Sequence, residues 1–139
     1  MNVHYIGHRL SLRKPQQQSL EILEDICSRI RLDKRTDLEA ALGVIQERYP
    51  TVTGFEDRDF VSLCFALATG VGKTRLMGAF IAYLHLVHKV RHFFVLAPNL
   101  TIYDKLITDF QPNTKKYVLG GLEALLDRPA GAGDPDQCG

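Results

Sequence analysis

A nearly uninterrupted apolar run, Phe60-Val61-Ser62-Leu63-Cys64-Phe65-Ala66-Leu67, passes directly into Ala68-Thr69-Gly70-Val71-Gly72-Lys73-Thr74 and then into a helical pattern reaching about His88. No other feature narrows the fold as far. The run has the length and β-favouring content of a strand buried on both faces. A Gly-rich turn closing in Gly-Lys-Thr between such a strand and a helix is the context a phosphate-binding loop requires. The residue types follow from the chemistry. Backbone N–H groups must surround a polyphosphate, so the chain must curl tightly, which Gly70 and Gly72 permit through positive φ. The helix start adds free N–H groups and the positive end of its dipole. Lys73 can reach the outer phosphates, and the Thr74 hydroxyl can ligand Mg²⁺.

The rest of the chain predicts an alternation around this unit. Ser11 to Arg31 reads as an amphipathic helix after a short extended lead, with Leu20, Leu23, Ile26 or Cys27, and Ile30 on one face and Pro15 in the first turn. A second helix is expected from the Thr36/Glu39 capping box to Pro50, carried by Leu38, Leu42, Ile45 and Tyr49. Thr51 to Asp59 reads as a loop. Beyond the phosphate loop, His92 to Ala97 reads as a second buried strand and Asn99 caps a helix to Phe110. That helix is expected to turn Leu100, Tyr103, Leu106, Ile107 and Phe110 inward; Lys116 to Leu119 can start a third strand. The fold class read from this order is α/β, a short parallel sheet preceded by two helices. Three stretches divide it: 1–58, helical; 59–128, the α/β portion; and 129–139, a tail dense in Gly and Pro that is expected to be disordered.

Charge contributes through its distribution. Seventeen Lys and Arg against sixteen Asp and Glu leave a net charge of +1, too small for global attraction to nucleic acid. Yet no acid occurs between Phe60 and Tyr103, where Lys73, Arg75, Lys89 and Arg91 lie. Three cysteines, Cys27, Cys64 and Cys138, at irregular spacing argue against a disulfide framework and for a reducing, cytoplasmic setting. Cys64 reads as an inert buried strand residue. The longest apolar stretch, Leu76 to Val87, is shorter than the about 20 residues that span a bilayer, so no membrane role is expected.

Leu67-Ala68-Thr69-Gly70-Val71-Gly72-Lys73-Thr74 resembles the first motif of superfamily-two helicases, and within them the form found in the Res subunits of restriction enzymes. The first position of the general phosphate-loop pattern is glycine, and Leu67 stands there. Leu12-Arg13-Lys14-Pro15-Gln16-Gln17-Gln18-Ser19-Leu20 resembles the upstream glutamine segment of that family. Val95-Leu96-Ala97-Pro98-Asn99-Leu100-Thr101 resembles its next motif downstream. With the helical insertion between the first two motifs, the chain looks most like the Res subunit of a type III restriction endonuclease, over roughly Leu12 to Leu119. The resemblance implies a partial RecA-like P-loop NTPase domain of an ATP-dependent DNA helicase or translocase. ATP and Mg²⁺ would be its cofactors, and double-stranded DNA and a DNA methyltransferase (modification) subunit its partners. Gln16 would read the adenine edge. Thr69, Gly70, Val71, Gly72, Lys73 and Thr74 would hold the nucleotide, with Lys73 and Thr74 the catalytic pair, and Pro98, Asn99 and Thr101 would contact the nucleic-acid backbone. The residues themselves also allow a solvated helix-start glutamine at Gln16, and plain helix capping by Asn99.

Hydrolysis needs acids that hold Mg²⁺ and orient water. Among Asp104, Asp109, Glu123, Asp127, Asp134 and Asp136, none follows an apolar strand run. The sequence therefore reads as a fragment, or a product ending early, that binds ATP weakly and neither hydrolyses it appreciably nor translocates. Two alternatives remain: another superfamily-two helicase fragment acting on DNA or RNA, and a non-catalytic nucleotide-binding remnant. A small phosphotransferase is disfavoured by the position of the loop well inside the chain. His85, His88 and His92, with His4 and His8, lack a nearby cysteine or carboxylate in sequence and read as helix-face histidines. Tyr5, Phe55 and Tyr103 are assigned no site.

Overall fold

A computed structural model describes residues 2–56, 58–112 and 119. Five helices order the described chain: α1 (Val3–Arg9), α2 (Lys14–Arg29), α3 (Leu38–Arg48), α4 (Lys73–Leu86) and α5 (Leu100–Asp109). The extended lead expected before α2 is instead helix α1. Asn2 caps it, its side chain accepting the Tyr5 N–H at 2.9 Å, and Val3, Ile6 and Leu10 supply a buried stripe. The chain turns out of α1 at Ser11, whose φ of 51° is left-handed, so α2 begins at Lys14 rather than Ser11.

Pro15 sits in the first turn of α2, where its missing N–H is no loss. The expected face of α2 is buried: Leu20, Leu23, Ile26 and Cys27, followed by Ile30. The cap of α3 is Asp37, one residue later than expected; its carboxylate accepts the N–H groups of Glu39 and Ala40. Thr36 instead donates its hydroxyl to the Arg31 carbonyl.

Two apolar clusters hold these helices. The first joins α1, α2 and α4 through Val3, Ile6, Leu10, Leu20, Leu23, Cys27, Ala79, Ala82 and Tyr83. The buried face of α4 sets the small residues Gly78, Ala79 and Ala82 between the larger Leu76 and Tyr83. Burial pushes the Tyr83 hydroxyl up to about 12, with the nearby Cys27 and Glu24 adding to it, and the Cys27 thiol up to about 11. The second cluster joins α2 to α3 through Ile26, Ile30, Ala41 and Ile45, with Phe55 from the loop that follows.

The α/β expectation, with its short RecA-like parallel sheet, is corrected by this structure. Among the described residues there is no strand; residues 60–67 and 92–97 are extended or irregular chain without ladder hydrogen bonds. Their side chains are not enclosed on two faces either. Phe60 is 59% exposed, Phe94 88% and Leu96 78%, and Cys64 is exposed rather than buried. A β-favouring run records a local preference for extended backbone, whereas a sheet needs a second chain segment to supply N–H and C=O partners. Residues 60–67 lean on the helices instead: Leu63 packs between the two clusters, and Phe65 meets Phe80 of α4 edge-on at 4.8 Å.

Helix α5 forms where expected but does not bury its expected face. Leu100, Tyr103 and Ile107 are exposed, and only Leu106 and Phe110 are half-buried. Of the expected third strand, residues 116–118 lie outside the described residues, as do Glu123, Asp127, Cys138 and the tail 129–139; Leu119 packs against the first cluster.

Candidate functional site

Residues 69–72 form a turn, which their two glycines permit. Gly70 and Gly72 have φ of 85° and 83°, the left-handed region that costs other residues a Cβ clash. Gly72 is also the N-cap of α4. Lacking a side chain, it leaves the first-turn amides without a side-chain cap, and the first helical bond runs from the Leu76 N–H to the Gly72 carbonyl at 3.1 Å. The positive end of α4 therefore opens at this turn. Lys73 and Thr74 are its first two residues. Lys73 is exposed, with no carboxylate paired to it among the described residues, and Thr74 is half-buried.

Gln16 arrives at the turn from the start of α2. Its side chain is 2% exposed. Its Nε2 donates to the Gly72 carbonyl at 2.8 Å, and its Oε1 accepts the N–H of Arg13, the residue that precedes α2, at 2.8 Å. Residues far apart in sequence are thereby joined at one carbonyl. The amide keeps one N–H and one acceptor lone pair unspent. Gly72 is where the two segments touch: a Cβ there would lie 2.4 Å from Gln16 Nε2, whereas a Cβ on Gly70 would meet open space.

Beside this junction lies a cleft of about 400 Å³ lined by Ser11, Arg13, Gln16, Gly70, Val71, Gly72 and Arg75. Sequence reasoning singled out Gln16 and the turn but gave no site role to Ser11, Arg13 or Arg75. The available signals were Arg13 within the glutamine segment and Arg75 directly after Thr74, in the acid-free stretch. Arg75 is fixed by its Nη1, which donates to the Leu10 carbonyl at the end of α1 at 2.8 Å. Two arginines, Arg13 and Arg75, thus line the cleft; Thr69, Lys73 and Thr74 do not, although Lys73 lies on the same first turn of α4 as Arg75. The chemistry of this set suits an anion held by backbone amides and cations.

The remaining expected residues are elsewhere. Asn99 caps α5, its side chain accepting the Ile102 N–H at 3.0 Å, and exposed Pro98 and Thr101 flank it. None of the three lines the cleft. His85 holds the Val90 carbonyl through Nδ1, and His88 Nε2 meets the Tyr83 hydroxyl at 3.0 Å, so both have partners at the end of α4. Among the described residues no group of three or more His, Cys, Asp or Glu could hold a metal ion. No helix among them is long and apolar enough to cross a membrane.

Comparison with known families gives one match: the model described as type III restriction enzyme, Res subunit, over residues 9–127. Comparisons with curated proteins and with solved structures give no match.

Proposed function

The chain belongs to the type III restriction enzyme Res subunit family, and from that premise we propose that its glycine turn is the ATP-binding element of a DNA helicase or translocase. The observation that carries the reading is the turn itself: two left-handed glycines delivering the uncapped start of α4 and a lysine free of any acidic partner among the described residues. ATP and Mg²⁺ are the cofactors on this reading, and double-stranded DNA and a DNA methyltransferase (modification) subunit the partners. The setting is cytoplasmic.

Each residue has a task that its placement supports. Thr69, Gly70, Val71 and Gly72 present backbone amides to the phosphate chain, and the α4 dipole adds to them. The Lys73 ammonium balances charge on the outer phosphates. The Thr74 hydroxyl is a ligand for Mg²⁺, which when bound neutralises the outer phosphate oxygens. Gln16 lines the cleft with one N–H and one lone pair remaining, the complement of an adenine N6/N7 edge. Asn99, with Pro98 and Thr101, offers the start of α5 to a DNA phosphate. None of the acids after Leu100 follows an apolar strand run in the sequence, and Asp104 and Asp109 lie within α5. These residues by themselves accordingly hold the nucleotide without turning it over.

Titration of the chain with a fluorescent ATP analogue in Mg²⁺ tests the reading. Lys73→Ala removes the cation that faces the outer phosphates and should weaken binding by more than about tenfold, which is about 1.4 kcal/mol. Equal affinity in the two proteins rejects the turn as the phosphate site.

A further inference from the structure

We propose that the loop joining α2 to α3, residues 30–37, is a second contact for the phosphate backbone of double-stranded DNA. The Res-family reading supplies the choice of DNA; the loop's own geometry supplies the rest. Three cations, Arg31, Lys34 and Arg35, stand within five consecutive residues against a single acid, Asp33. All four residues are exposed. The Arg31 side chain is 88% exposed and meets Asp33 only at 3.4 Å, a loose surface pair that a phosphate can displace.

The acids of this region are largely committed to backbone donors. Asp33 accepts the Arg35 N–H at 2.7 Å, and Asp37 accepts the N–H groups of Glu39 and Ala40 as the cap of α3. Glu39 follows in the first turn of that helix. Lys34 and Arg35 have no ion-pair partner among the described residues. Neighbouring Arg29 and Arg48 share one carboxylate, that of Asp25, so the local surplus is positive.

The loop is also held in shape. Thr36 donates its hydroxyl to the Arg31 carbonyl, its N–H bonds the Asp33 carbonyl at 3.3 Å, and the Asp33–Arg35 bond closes the turn between them. The result is a concavity of about 280 Å³ lined by Arg31, Asp33, Lys34, Arg35 and Thr36. A turn whose backbone is already ordered loses little backbone freedom when its cations meet a phosphate row. The loop follows the end of α2, and Gln16 is near its start. At the rise of a helix the two are about 20 Å apart, so this surface is separate from the glycine turn.

The test is binding of the full chain to a short fluorescein-labelled duplex, followed by anisotropy between about 50 and 200 mM salt. The triple variant Arg31→Gln/Lys34→Gln/Arg35→Gln should bind about tenfold or more weakly, and the slope of log K against log salt should fall by about one for each cation removed. Lys34→Gln alone changes an exposed side chain and should lower the slope by about one without altering the fold. Arg31→Lys/Arg35→Lys keeps the charge and should keep the slope. Unchanged affinity and slope in the glutamine variants overturn the assignment, as does absence of duplex binding by the unmodified chain. Equal loss of binding to a poly-glutamate peptide, with no change for duplex, assigns the loop to an acidic protein partner and overturns it as well. Nucleotide uptake is measured on the same samples. If the unmodified chain takes up no nucleotide while duplex binding still depends on the loop, this inference stands and the nucleotide reading falls.

Discussion

At Gly72 two demands meet on one Cα. Its φ of 83° requires a residue that tolerates left-handed backbone, and the approach of Gln16 Nε2 leaves no room for a Cβ. At Gly70, φ is 85° but the space is open. The difference predicts unequal costs for the same substitution. Gly70→Ala should lose about 1 kcal/mol from backbone strain alone. Gly72→Ala should lose about 2–3 kcal/mol, because it also displaces a buried amide from its hydrogen bond. Urea unfolding of the two variants checks this, and equal losses contradict the close approach seen here. The double variant Gly72→Ala/Gln16→Ala should cost less than the sum of its parts, since the two residues share one contact. Both glycines were legible in the sequence, because a phosphate turn needs positive φ at those positions and the need is local. The junction with Gln16 was not legible as geometry, since nothing in residues 13–16 reports that they will meet residue 72. Arg75 was read only as one cation of an acid-free stretch, and its place in the cleft was not legible for the same reason: its anchor, the Leu10 carbonyl, ends a helix that was not expected.

Between elements, α2 and α3 are tied by one carboxylate. Asp25 accepts from Arg29 Nε at 2.9 Å and from the Tyr49 hydroxyl at 2.9 Å, with Arg48 at 3.6 Å. Partial burial raises its pKa, but the bonds from Arg29 and Tyr49 and the charges of Arg29 and Arg48 outweigh that, and the carboxyl sits below the usual 3.8. The sign follows from which state holds the proton more weakly. A depressed folded value means that the clasp stabilises the protein above the ordinary carboxylate pKa and loses that contribution as pH falls through the folded one. Asp25→Asn should therefore flatten the acid limb of a stability–pH profile below about pH 4. Tyr49→Phe should cost about 1 kcal/mol near neutrality. A profile for Asp25→Asn that parallels the unmodified protein contradicts the clasp. Sequence period was a sound guide to where α2, α3, α4 and α5 form, each long enough to repeat its pattern or to show its cap, but it failed for the face of α5, whose Leu100, Tyr103 and Ile107 are exposed. Helix α1 has seven residues, too few for a period to stand out, and its stripe has meaning only against α2 and α4. The apolar runs at 60–67 and 92–97 misled for the opposite reason. They are locally persuasive, but strand pairing is decided by a partner segment that local composition does not reveal.

Across the whole molecule, the helices α1 to α4 bury their apolar faces, while Phe60 and the segment that follows α4 expose many of theirs. Phe60, Phe93, Phe94, Val95, Leu96, Leu100, Ile102, Tyr103 and Ile107 are all exposed, and several are consecutive. Exposure on that scale exceeds scattered surface apolar residues and favours self-association as concentration rises. It also makes a sharp contrast with the core. Phe94→Ser and Leu96→Ser change side chains that are 88% and 78% exposed, so each should alter folding stability by less than about 0.5 kcal/mol. Leu20→Ala removes a side chain that is fully buried between α1, α2 and α4 and should cost about 2–5 kcal/mol. The double variant Phe94→Ser/Leu96→Ser should also bind less of an apolar-surface dye and scatter less light at high concentration, with its unfolding midpoint unmoved. If the double variant instead unfolds as readily as Leu20→Ala, residues 92–97 are enclosed by other parts of the chain. The stable unit would then extend beyond the two helical clusters that carry the turn and its glutamine.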